Sequence, residues 1–197
     1  VDELAIAERM AGTGVPYGFW NVSMDESSVL ELVLASYGSG KDTIIYRGNP
    51  IKRVMRASWI AKEIRFRDNP FPRLNGEPKH HTSSSGGFTQ PYTVRMMDVD
   101  ELVDLHKLLS RDYDDVGDSF TDEVCSPDFF FLRELGSELA NNFTSRIVVN
   151  LLSDRMDRSL PVVVTLARDV DDIEYKNRSV YGDVAIYLAD AQKIRIQ

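Results

Sequence analysis

The stretch Ser126-Pro127-Asp128-Phe129-Phe130-Phe131-Leu132-Arg133-Glu134-Leu135-Gly136-Ser137-Glu138-Leu139 decides the fold class, because it stands where the helical part of the chain meets its β-rich end. Ser126-Pro127 reads as a helix start, since serine suits the cap and proline is tolerated in the first turn. Phe130, Phe131, Leu132, Leu135 and Leu139 then supply the apolar side of the helix body.

Working back from there, residues 112–123 read as an acidic loop. Asp98 and Glu101 have the spacing of a capping box, opening a helix with Leu102, Leu105, Leu108 and Leu109 on one face. Residues 92–96 suit a short strand. Residues 68–91, with Pro70, Pro72, Gly76, Pro78, Gly86 and Gly87, form the largest irregular stretch and a candidate mobile loop. Asn49 caps a helix that has Pro50 at its first position and runs to about Ile64. Thr43-Ile44-Ile45-Tyr46 is β-branched and aromatic and reads as a strand. Residues 25–37 and 2–11 read as helices, and residues 19–22 as a short strand.

Working forward, residues 146–152 are ambiguous between helix and strand. Residues 161–166, 180–188 and 192–196 read as strands. Helices therefore fill the first two thirds of the chain and most strands the last third. That distribution implies an α+β fold on a mixed or antiparallel sheet.

The 197 residues fit one domain spanning 1–197, and a hydrophobic content of 43% is enough for a core at that size. The net charge of −8 repels phosphate backbones, so the expected partners exclude nucleic acid. One basic run, Lys52-Arg53 with Arg56, Lys62, Arg65 and Arg67, reads as the solvated face of a helix. Cys125 is the sole cysteine, which fits a reducing compartment. No apolar run approaches the roughly 18 residues of a membrane span, and no secretory leader is readable. Both point to a cytoplasmic protein, or one delivered into a host cytoplasm.

Gly38-Ser39-Gly40-Lys41-Asp42 has the look of a phosphate-binding loop but fails its pattern. Ala35 stands where the first glycine belongs, Asp42 where Ser or Thr would hold magnesium, and the stretch follows a helix rather than a strand. His80, His81 and His106 have no zinc-ligand spacing. Cys125 reads as a structural thiol.

Ile44-Ile45-Tyr46-Arg47-Gly48 resembles the first conserved strand of arginine-type mono-ADP-ribosyltransferases, which ends in an arginine. Val162-Val163-Val164-Thr165-Leu166, Ser179-Val180-Tyr181-Gly182-Asp183-Val184-Ala185-Ile186-Tyr187-Leu188 and Lys193-Ile194-Arg195-Ile196 resemble that family's closing strands. The resemblance implies a domain that binds NAD as a substrate in a cleft and modifies a protein target, as toxins and effectors of this kind do. It makes Arg47, with Gly48, the clamp on an NAD phosphate. Its middle serine motif falls either on Phe143-Thr144-Ser145, where Thr144 and Ser145 support the pocket, or on Ser83-Ser84-Ser85. Asp183 becomes the catalytic acid, with Glu174 as a fallback. Ala185 stands at the family's usual glutamate, so the resemblance leaves catalytic activity open. The competing expectation is a non-enzymatic viral, phage or effector module that binds a host protein through Phe129, Phe130, Phe131 and Trp59.

Overall fold

Phe129, Phe130, Phe131 and Leu132 are all buried, yet they divide between two cores. Phe129 and Phe131 pack into one hydrophobic cluster, Phe130 and Leu132 into the other. Only the two-residue period of a strand sends neighbours to opposite faces in this way. The segment is therefore strand β5 (Phe129–Leu135) rather than a helix. A strand buried on both faces carries a continuous apolar run, and periodicity does not separate such a run from a buried helix.

The computed structural model describes residues 3–37, 39, 41–46, 49–69, 90–111, 116–136, 141–167 and 182–195. Helix α1 (Glu3–Met10) and helix α2 (Ser27–Leu34) lead to strand β1 (Thr43–Tyr46) and helix α3 (Pro50–Arg65). A two-residue antiparallel ladder, β2 (Asp68–Asn69) with β3 (Gln90–Pro91), precedes strand β4 (Val94–Asp98). Helices α4 (Val99–Arg111) and α5 (Val116–Cys125) come before β5. Helix α6 (Asn142–Asp157), strand β6 (Val162–Leu166), helix α7 (Gly182–Leu188) and strand β7 (Gln192–Arg195) complete the order. The main sheet has five strands in the order β4-β5-β6-β1-β7, and every pairing in it is parallel.

This corrects the α+β expectation. The strands are spread along the chain, and the main sheet is parallel, not mixed or antiparallel. Its topology follows from connection handedness. The chain leaves β1 for the far edge at β4, then works back through β5 and β6 to β7. Right-handed crossovers in opposite directions put their helices on opposite faces. Accordingly α3, with Ala57, Trp59, Ile60, Ala61 and Ile64, covers the face that carries Ile45, Met96, Phe131 and Val163. Helices α4 to α7 cover the other face, where Ile44, Leu132 and Val164 meet Leu102, Val124, Val148, Leu151 and Val184.

Several local expectations hold. Thr43–Tyr46 is a strand. Asn49 caps α3 by accepting the Ile51 N–H at 2.8 Å. The Asp98/Glu101 box is reciprocal: the Asp98 N–H donates to Glu101 Oε2 and the Glu101 N–H to Asp98 Oδ1, both at 2.8 Å. Others do not. Residues 182–188 form α7 instead of part of a strand, with Val184 and Leu188 buried one turn apart and Ile186 exposed. Residues 116–125 are helix α5, not an acidic loop. Residues 146–152 lie inside α6, which Asn141 caps. The short strand foreseen at residues 19–22 is absent: a 3-10 turn over Tyr17–Phe19 ends there and a turn follows. Within the irregular stretch, residues 70–89 lie outside the described residues.

Fully buried Arg155, on α6, fastens the amino ends of β5 and β6. It donates to the carbonyls of Val124, Pro127, Asp128 and Pro161 at 2.8 to 3.0 Å. Among the described residues, no helix is long and apolar enough to cross a membrane, and no His/Cys/Asp/Glu group could hold a metal.

Candidate functional site at the carboxyl end of the sheet

In an open parallel sheet, ligands bind beyond the carboxyl ends of the strands, where neighbouring connections depart to opposite faces. Here that point lies between β1, which leads to α3 on one face, and β6, whose route to β7 runs over the other. A cleft of about 430 Å³ opens beside it, between the first turns of α3 and α4. Pro50 and Arg53 line it from α3, Val99 and Asp100 from α4, and Asp98, Arg133, Glu134 and Ala167 from the strand ends.

Two charged groups organise the cleft. In the first, Arg53 forks onto Glu134, with Nε to Oε1 at 3.0 Å and Nη2 to Oε2 at 2.6 Å. The Arg53 side chain is 5% exposed and that of Glu134 18%. Thr165 on β6 joins them. Its hydroxyl donates to Glu134 Oε1 at 3.0 Å and accepts the Glu134 N–H at 2.7 Å. Glu134 reaches this position through a bulge, because the β5–β6 register shifts between Leu132 and Leu135. Its φ of 53° lies in the left-handed region that non-glycine residues seldom occupy. In the second group, Arg133 Nη2 meets Asp98 Oδ2 at 3.3 Å and Glu101 Oε2 at 3.1 Å, tying the end of β5 to the cap of α4.

The residues singled out from sequence do not assemble here. Arg47 and Gly48 lie outside the described residues, as do Ser83, Ser84, Ser85 and Glu174. Thr144 and Ser145 are buried in the first turn of α6, where the Thr144 N–H is bonded to the Asn141 cap at 2.9 Å. Asp183 is exposed in the first turn of α7. Among the described residues, none of these three lines the cleft. Phe129, Phe130, Phe131 and Trp59 are core, not an exposed anchor.

The sequence reading missed Arg53, Glu134 and Thr165. The available signal was Arg133-Glu134 directly after four apolar residues, a polar pair at the end of a buried strand. The solvated-face expectation for the basic run holds at Lys52 and Arg67, which are exposed, and fails at the other four. Arg53 is buried against Glu134, Arg56 pairs with Glu26, Lys62 donates to the Val22 carbonyl, and Arg65 donates to the carbonyls of Arg9 and Tyr92.

No protein-family model matches the chain, and no curated protein matches it in sequence. Solved structures do match in shape. The DnaC helicase loader superposes with a TM-score of 0.64 at 15% identity, over 92% of this chain and 100% of that one. The replication initiator DnaA bound to AMPPCP and single-stranded DNA gives 0.63 at 12%, over 93% of this chain and 51% of that one. A DNA replication initiation factor gives 0.59 at 12%, over 91% and 49%. The fold is shared with replication initiators and helicase loaders. The chain spans about half the length of the initiators and the whole of the loader.

These likenesses overturn the ADP-ribosyltransferase reading, together with its toxin or effector role and its host-protein partner. Its closing-strand motif also fails, because Asp183 and Ala185 sit on a helix and not on alternating strand positions. NAD loses its support, since the nucleotide held by the DnaA neighbour is AMPPCP. The exclusion of nucleic acid falls too, because that neighbour holds single-stranded DNA. Net charge describes the whole surface and not any one face of it.

An adenine nucleotide can be tested against the residues present. A phosphate-binding loop of the Gly-x-x-x-x-Gly-Lys-Ser/Thr type belongs between the first strand and the next helix. Here only Arg47, Gly48 and Asn49 separate the end of β1 from Pro50. Of the Gly38–Asp42 stretch, the described residues Lys41 and Asp42 directly precede β1, at the opposite end of the sheet. The helix start is already committed: Pro50 has no N–H, the Ile51 N–H goes to Asn49 Oδ1, and the Arg53 N–H goes to the Asn49 carbonyl. The acid at the end of β5 is neutralised by Arg53. These residues do not fit a bound nucleotide phosphate.

Proposed function

We propose that the protein is a replication factor of the helicase-loader or initiator kind, working through contacts with replication proteins and with DNA. The observation that carries this reading is the parallel β4-β5-β6-β1-β7 sheet with helices on both faces, matched over 92% of this chain by the whole of the DnaC loader. In this reading residues 1–197 act as one domain, in the cytoplasm with the DNA.

The test uses the purified chain with the replicative helicase and initiator of its own organism, and with labelled single-stranded DNA. Size-exclusion chromatography should detect a complex with a replication protein, or fluorescence anisotropy should rise on adding DNA. The DNA arm should weaken steeply with salt, as phosphate contacts require. No complex with either protein and no binding to DNA at low salt would overturn the reading.

A further inference from the structure

We propose that the Arg53–Glu134–Thr165 cluster is a built-in substitute for nucleotide and metal. It would hold the carboxyl end of the sheet in one arrangement without ATP. The inference refines the replication reading above by assigning how that protein's central site is regulated.

The charge arrangement carries it. In P-loop NTPases a lysine reaches the phosphates and an acid from a neighbouring strand holds magnesium, so protein and ligand charges balance only when the ligand is bound. Here the cation and the acid balance each other. Arg53 comes from the first turns of the helix that follows β1, and Glu134 from the end of β5. The two bonds of the fork run in parallel, and the Thr165 hydroxyl occupies part of the remaining acceptor capacity of the carboxylate. The cluster thereby ties α3, β5 and β6 together at the carboxyl end of the sheet. Glu134 is held in a left-handed backbone conformation by the bulge, and strained geometry persists only where its surroundings over-determine it. A magnesium nucleotide entering here would have to break a buried bidentate pair and would find the Ile51 and Arg53 N–H groups of α3 already used.

The experiment is thermal unfolding of the full chain and of Glu134→Ala, Glu134→Gln and Arg53→Ala. Each is measured with and without MgATP, MgADP, inorganic phosphate and magnesium chloride at millimolar concentration. The wild-type Tm should not move with MgATP or MgADP. In Glu134→Ala the guanidinium has lost its carboxylate, so phosphate should raise that variant's Tm and leave the wild type unchanged. In Arg53→Ala the carboxylate is left without its cation, so that variant's Tm should fall and phosphate should not raise it. Glu134→Gln keeps a hydrogen-bonding side chain against Arg53 and serves as the milder variant if the alanine change prevents folding. A wild-type Tm that rises with MgATP or MgADP overturns the proposal. So does a failure of phosphate to stabilise the Glu134 variants. Neither readout depends on a replication partner. Loss of helicase and DNA binding would therefore sink the replication reading while this result stands or falls separately.

Discussion

The energetic weight of the Arg53–Glu134 pair can be worked from its geometry and measured in a double-mutant cycle. Arg53→Met removes the cation and keeps an unbranched side chain in the same space. It leaves Glu134 with the Thr165 hydroxyl and a side chain that is 18% exposed, so some water reaches the charge. Breaking a buried pair from one side costs about 3–5 kcal/mol. Partial hydration brings this change to the lower end of that range or just below it, about 2–3 kcal/mol. Glu134→Gln keeps an acceptor for Arg53 but removes the counter-charge of a guanidinium whose side chain is only 5% exposed, which puts its loss at about 3 kcal/mol. The double variant removes both charges together. It should be no less stable than the worse single variant, giving a coupling of about 2 kcal/mol or more. The exposed Lys107–Asp104 pair on α4, measured the same way, should couple by no more than about 0.5 kcal/mol. The assay is urea unfolding of the four proteins, with m-values compared to confirm a common transition. Losses that simply add, or single variants each costing under about 1 kcal/mol, would refute the view that this pair is desolvated and mutually dependent.

Two further outcomes are expected. Burial pushes the Asp42 carboxyl up to about 7, against the smaller opposing pulls of the Val162 N–H bond and the Arg155 charge. The folded state then holds the extra proton between about pH 4 and 7, so this group's contribution falls as pH rises through that window. Asp42→Asn keeps an acceptor for the Val162 N–H and carries no charge. It should gain on the wild type between pH 5 and pH 8, by at most about 3 kcal/mol. Urea unfolding at several pH values would show it, and a gain that shrinks with rising pH would contradict it. Gly14 has a φ of 77°, and a Cβ there would lie 2.0 Å from the Met96 carbonyl oxygen on the edge strand β4. Gly14→Ala should therefore cost about 2 kcal/mol or more, read as a lowered Tm, because the clash is with backbone that cannot rotate away.

The elements best read from sequence are those whose signals are local. Asn49-Pro50 fits a helix start wherever it occurs, because the cap bonds only to the N–H two residues on. The Asp98/Glu101 box is likewise complete within four consecutive residues. Thr43–Tyr46 combined β-branched residues with clear flanking breaks. The misreadings occur where burial on both sides erases the pattern. Phe129 to Leu132 is uniformly apolar because each residue has a core to enter, so the run has no polar face to betray its period. Residues 184–188, Val-Ala-Ile-Tyr-Leu, are a continuous apolar and aromatic run that suits a strand, yet Val184 and Leu188 also share one helical face, and packing against the sheet selected the helix. Calling residues 129–132 helix and residues 182–188 strand turned a three-layer parallel architecture into an apparent α+β one.

Composition and local chemistry by themselves determined the existence of a core, the helix starts at Pro50 and Val99, the strand Thr43–Tyr46, and the absence of a phosphate-loop pattern in residues 38–42. The candidate site was decided only in three dimensions. Arg53 and Glu134 are 81 positions apart, and Glu134 and Thr165 are 31 apart. Nothing along the chain links them. A five-stranded parallel sheet brings three distant strand and helix ends together at its carboxyl end, and a bulge then turns Glu134 towards α3. Local sequence encodes turns and caps because their partners are neighbours. A buried ion pair between distant segments is set by topology, and topology depends on which apolar runs enter the sheet.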